Sequence, residues 1–225
     1  MAWSWCRIAS AASSSRIRTA SVTPEGAIIC RLAGASRAGE EIKTASRLAE
    51  LSVPILFTVH GHGTFEGPDL LFFGPRRAFV ANSIRSNAEG VKQIAECLRF
   101  QQIEVVAVET TFGCGHLDGV VSLVDKDLAI IYPKHASYKL YETLGGADYE
   151  IIQLPDEQEA RNGMPINMVA LGPRRVLIPM GNPRTIDMLG RHGVDCIEVD
   201  LSEIMKAGGA VHCVTGILRR EPRST

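Results

Sequence analysis

The chain has no acidic residue in its first twenty positions, no Cys-x-x-Cys pair, and no long apolar run. Each shortage removes a class of function. A membrane span needs about 20 consecutive apolar residues, so no membrane partner is expected. The six cysteines (Cys6, Cys30, Cys97, Cys114, Cys196 and Cys213) make no zinc-type spacing with histidine, so no metal site is expected. A chain of 225 residues does not depend on a disulfide framework. The compartment expected is therefore reduced and cytoplasmic, with most thiols acting as small buried hydrophobes. A net charge of -1 supplies no field to gather nucleic acid or anionic lipid.

The opening "MAWSWCRIASAASSSRIRTA" is rich in Ser, Ala and Arg. It lacks the apolar core of about 7–15 residues found in a secretory signal. A transit peptide, a disordered arm and an aberrant start all fit residues 1–20. The sequence as a whole is 45% hydrophobic and 22% charged, as in ordinary globular proteins. One domain over residues 21–221 is expected.

What that domain contains is a repeat. "ASVTPEGAIICRL" (20–32), "LLFFGPRRAFVAN" (70–82), "VSLVDKDLAIIYP" (121–133) and "MVALGPRRVLIPM" (168–180) each read as strand, tight turn, strand. Helical segments follow at 37–51, 86–100, 135–146 and 182–193, and an apolar strand follows each. Ser86 and Glu89 are spaced as a capping box, Pro183 suits a first helical turn, and Gly193 suits a helix stop. The turns begin at Thr23, Gly74, Asp125 and Gly172, at steps of 51, 51 and 47 residues. That spacing marks an array of β-β-α-β units burying apolar faces against one another. A final strand is expected to carry Cys213.

Just before the hairpins lie polar residues of different kinds. Unit two has Glu66 and Asp69, unit three has His116 and Asp118, and unit four offers Asn167. One repeat further on stand His212 and Cys213. A radial repeat brings equivalent positions to one axis. Singly, each residue has a dull explanation: a lone Cys is usually core, a lone Glu usually solvated. Together a thiol, an imidazole and carboxylates suggest covalent catalysis. Two carboxylates beside a thiol also suit a planar guanidinium, held by paired hydrogen bonds with its central carbon in line for attack.

At these residues the sequence resembles the guanidino-group-modifying, or pentein, superfamily, which includes arginine deiminase, dimethylarginine dimethylaminohydrolase and the amidinotransferases. "FEGPD" (65–69) resembles the family's E-G-G-D, with Pro68 in place of a glycine. "SIRSN" (83–87), "GHLDGVVSLVD" (115–125) and "GGAVHCVTGILRR" (208–220) resemble three further blocks, in family order. The resemblance implies an α/β propeller of ββαβ units with pseudo-fivefold symmetry. It implies Cys213 as nucleophile, His116 as general acid/base, and Glu66 as a guanidinium-binding carboxylate that also orients His116. Asp118, Asp69 and Arg85 are implied to bind a small guanidino substrate, Arg85 through the substrate's carboxylate. No metal or organic cofactor is implied, and a homodimer is the oligomeric expectation.

The sequence departs from the family at the first unit. The family carries a guanidinium-binding acid there, whereas "ASSSRIRTAS" (12–21) has none, with Ser15 and Arg18 at the corresponding spacings. The first unit is therefore expected to be incomplete. Transfer of the amidino group to an amine, and a binding protein without turnover, stand beside hydrolysis as alternatives.

Overall fold

The computed structural model describes residues 3–9 and 19–222. A strand at Trp3–Ala9 (β1) precedes four successive units of one design. Unit one is β2 (Ala20–Thr23), β3 (Gly26–Ile29), α1 (Glu40–Glu50) and β4 (Ile55–Thr58). Unit two is β5 (Leu70–Gly74), β6 (Arg77–Asn82), α2 (Ala88–Phe100) and β7 (Glu104–Glu109). Unit three is β8 (Val121–Asp125), β9 (Leu128–Ile131), α3 (Tyr138–Gly145) and β10 (Glu150–Gln153), followed by a short helix, α4 (Glu157–Asn162). Unit four is β11 (Val169–Gly172), β12 (Arg175–Pro179), α5 (Pro183–Arg191) and β13 (Asp195–Val199). Two short helices, α6 (Ser202–Met205) and α7 (Val211–Val214), lead into β14 (Gly216–Pro222).

Each unit is a three-stranded sheet whose middle strand pairs antiparallel with the first and parallel with the third. A strand covered on both faces reads as a continuous apolar run. The middle strands obey this: Ala78–Ala81 and Leu128–Ile130 have no exposed surface. The repeated GPRR also has a physical use. Its second arginine opens the middle strand directly opposite an acid that opens the third. Arg77 meets Glu104 at 3.2 Å, and Arg175 meets Asp195 at 3.1 Å. These exposed pairs contribute only about 0–1 kcal/mol each, so they set register more than stability.

From Ala20 onward the first unit has all three strands. Ser15 and Arg18, where the missing acid was expected, lie outside the described residues. β1 pairs antiparallel with β14 as a two-stranded fifth sheet. Among the described residues no helix is long and apolar enough to cross a membrane.

Pro183 opens α5 as expected, and Gly193 follows that helix at φ 73°. The capping box at Ser86 is corrected. Asn87 caps α2, its Oδ1 accepting from the Gly90 N–H at 2.9 Å. Ser86 is fully buried, and its hydroxyl donates to Asp69 at 2.6 Å. A buried carboxylate left short of donors costs more than an exposed helix N–H, so the serine goes to the acid. Glu89 instead accepts from Gln93 at 3.0 Å.

Asn87 and Gln93 also tie α2 to the loop that leads to Glu66. Asn87 Oδ1 accepts from the Thr64 N–H, and the Gln93 amide exchanges two bonds with the His60 backbone. Gly90 makes this approach possible, because a Cβ there would lie 2.0 Å from the Thr64 carbonyl oxygen. Gly90→Ala is therefore expected to cost about 2 kcal/mol by overpacking. In thermal unfolding that is a fall of about 6 °C. An unchanged midpoint would show that the loop yields freely.

Candidate active site

The polar residues of units two, three and four sit on the short segments that precede the first strand of each. Glu66 and His116 occupy the same local position. Each has extended backbone and is followed at once by a single helical turn, Gly67–Asp69 or Leu117–Gly119. Each turn then feeds the first strand of its hairpin. The result is that Glu66 and His116, fifty residues apart, meet: Nε2 of His116 lies 2.8 Å from Oε2 of Glu66. Both are buried, at 1% and 7% exposure.

A second cluster joins units three and four to the final segment. Asp118 Oδ2 lies 3.1 Å from His212 Nδ1 and 3.8 Å from Cys213 Sγ. Asn167 Nδ2 donates to that same Oδ2 at 3.1 Å and to Sγ at 3.3 Å. A cavity is lined by Asp118 and His212 together with Leu70, Val121, Ile166 and Met168, so the first strands of units two, three and four face it. Cys213 itself is on the single helical turn α7, not on the terminal strand expected from sequence. The alternation of small and apolar residues there suited a strand. Asn167 instead gathers the N–H groups of Ala210, His212 and Cys213 and curls the chain.

Asp69 lies behind these clusters. It has no exposed surface. Oδ2 accepts from Ser83 at 2.7 Å and Ser86 at 2.6 Å, and Oδ1 accepts from the Leu117 N–H at 2.9 Å. Expected among the substrate contacts, it is instead met here by donors of the protein itself. Its oxygens brace three segments that carry Glu66, Arg85 and His116. Burial pushes its carboxyl up to about 6, partly opposed by His116 and the two serines.

Arg85 is half-buried, and its guanidinium has no ion-pair partner among the described residues. A Cβ at Gly34 would lie 3.7 Å from its Nη1, so the Gly34–Arg37 loop of unit one faces it. That loop carries Arg37, which sequence reasoning missed. Arg37 pairs with Glu40, and Glu40, Glu66 and Cys213 hold it firmly protonated. Its Nη1 is buried without a hydrogen-bond partner among the described residues. The signal available was the Arg37/Glu40 spacing, which is too common to single out.

Four ββαβ units, with carboxylates and an imidazole ahead of the hairpins of units two and three and a thiol ahead of β14, define a pentein, the guanidino-group-modifying class. Within it, the family described as N,N dimethylarginine dimethylhydrolase, eukaryotic, matches residues 32–220, and the chain belongs to that family. An uncharacterised protein of Aeropyrum pernix is 29% identical over 192 residues, covering 84% of this chain and 66% of that protein. The N(G),N(G)-dimethylarginine dimethylaminohydrolase of Pseudomonas aeruginosa is 28% identical over 196 residues, covering 86% of this chain and 71% of that enzyme. The chain thus spans about two thirds of the length of these relatives. A solved structure of the P. aeruginosa enzyme, a cysteine-to-serine variant complexed with citrulline, superposes with a TM-score of 0.76 at 25% identity. It covers 88% of this chain and 73% of that one.

Proposed function

We propose that this chain hydrolyses a guanidino compound of the arginine or methylated-arginine type, releasing a ureido product and an amine. The observation that carries the reading is the meeting of matched repeat positions: His116 on Glu66, and Cys213 beside Asp118. In this mechanism Cys213 Sγ, as thiolate, attacks the guanidine carbon. Asp118 grips the guanidinium nitrogens by charge-assisted hydrogen bonds. His116, oriented by Glu66, donates a proton to the departing nitrogen as the C–N bond breaks. An amidino-thioether remains. Water, losing a proton to His116, adds to its carbon, and expulsion of Sγ releases the ureido product. Asp69 is assigned to positioning rather than to substrate contact.

The activity printed for the P. aeruginosa relative, and the citrulline in its structure, support this reaction class. The test is incubation with arginine, methylated arginines and agmatine, with and without an acceptor amine, followed by product analysis. Citrulline formation supports hydrolysis, an amidinated acceptor means transfer, and binding with no product means a non-catalytic pentein.

Arg85 is assigned to the substrate carboxylate, with Arg37 as a second cation on the facing loop. Arg85→Ala should raise KM for arginine-type substrates by about 10–100-fold, the value of a lost charge-assisted pair. Agmatine has no carboxylate, and its KM should stay within about twofold by the same reasoning. Equal effects on both would sink the clamp.

A further inference from the structure

We propose that Asn167 is the positioning residue of the nucleophile: its amide fixes the turn that carries Cys213 and holds the sulfur with an N–H bond. Resting on Cys213 as the nucleophile, the inference adds a residue from a unit that otherwise contributes no group to the reaction. Asn167 is 7% exposed. Its Oδ1 accepts from the backbone N–H of Ala210 at 3.1 Å and of Cys213 at 3.2 Å. Its backbone carbonyl accepts from the His212 N–H at 3.1 Å. One residue thereby receives three N–H groups of the nucleophile's segment.

Those bonds also settle which way the amide points. A backbone N–H can only donate, so the atom facing Ala210 and Cys213 must be the amide oxygen. The NH2 then has to face Cys213 Sγ and Asp118 Oδ2, at 3.3 and 3.1 Å. A donor aimed at sulfur favours the thiolate over the thiol and fixes the side-chain torsion from which it attacks. The ionisable surroundings of that sulfur include Asp118 with its partner His212, and the Arg37 guanidinium. Asp118 opposes the thiolate, and the Asn167 NH2, shared between the two, offsets that repulsion. No other side chain of this size supplies an oxygen for two donors and two N–H groups for two acceptors.

Asn167→Asp separates the two jobs. It keeps an oxygen for the backbone donors but turns the two donors into a further negative charge. The rate of Cys213 alkylation by iodoacetamide should be followed against pH. In the folded Asp variant its midpoint is expected to rise by about one pH unit or more from wild type, as a like charge at this range raises a thiol. If the chain is a hydrolase, kcat should fall by about 10–100-fold with KM within about twofold, the pattern of lost transition-state geometry. Asn167→Ala, which loses the donors and the oxygen but adds no charge, should give a smaller rise and a lower unfolding midpoint. A folded Asp variant with an unchanged alkylation profile would overturn the proposal. Should both variants fail to fold, hydrogen exchange on the wild type decides: the Ala210 and Cys213 amides must be protected, and fast exchange there refutes the clamp. Alkylation and exchange need no substrate, so failure of the hydrolase reading would leave this test standing.

Discussion

Cys213→Ser should lose turnover by at least about 1000-fold while its unfolding midpoint stays within a few degrees of wild type. The thiol is expected to form and then break the bond to carbon. A hydroxyl in its place is ionised far less readily and leaves a tetrahedral centre less easily. The packing change is small, since oxygen and sulfur occupy the same corner and Asn167 Nδ2 can donate to either. The other described thiols should not compensate. Burial pushes the Cys30, Cys97 and Cys114 thiols up, and that of Cys196 up to about 11. Iodoacetamide at neutral pH should accordingly label wild type at Cys213 first, and the serine variant far more slowly. Retention of more than about 1% of turnover would remove Cys213 from the chemistry by this reasoning.

The hairpins and their partner strands were legible because the information is local. Turn residues at Thr23, Gly74, Asp125 and Gly172 separate short apolar runs, and the repeat makes four weak signals into one strong one. The meeting of Glu66 with His116 followed from the same repeat, since nearly equal offsets from equivalent strands converge. What escaped depends on long-range partners. Ser86 has the sequence of a cap, but Asp69, seventeen residues away, takes its hydroxyl. The single turn α7 has no periodicity to read and exists because Asn167 collects its N–H groups. α4, six residues long and polar, is also too short to read. Its Glu159 is buried and accepts from the Arg184 and Thr185 N–H groups at the start of α5, a cap supplied from twenty-five residues upstream. Arg37 differs again: only the folded ring brings its loop opposite Arg85.

Asp69→Ala should be among the most destabilising single changes in the chain, and Asp69→Asn should reveal why through pH. Removing the carboxylate leaves the Ser83 and Ser86 hydroxyls and the Leu117 N–H without their acceptor. Stranded buried donors cost about 1–3 kcal/mol each, so a loss of about 3–5 kcal/mol is expected for the alanine variant. The asparagine variant keeps the shape and removes the charge. Asp69 has its pKa raised from 3.8 to about 6, chiefly by burial. A raised acid binds its proton more tightly when folded than when unfolded. Its favourable contribution is therefore complete below about pH 4 and disappears as pH rises through about 6, a change of about 3 kcal/mol for a rise of that size. The asparagine side chain does not titrate and contributes no such pH dependence. Wild type should thus gain most of that amount on Asp69→Asn between pH 7 and pH 4, in urea unfolding read at both values. A stability difference that stays constant across this window would mean that Asp69 ionises in the folded chain as it does in the unfolded one, and that its three donors fully offset its burial.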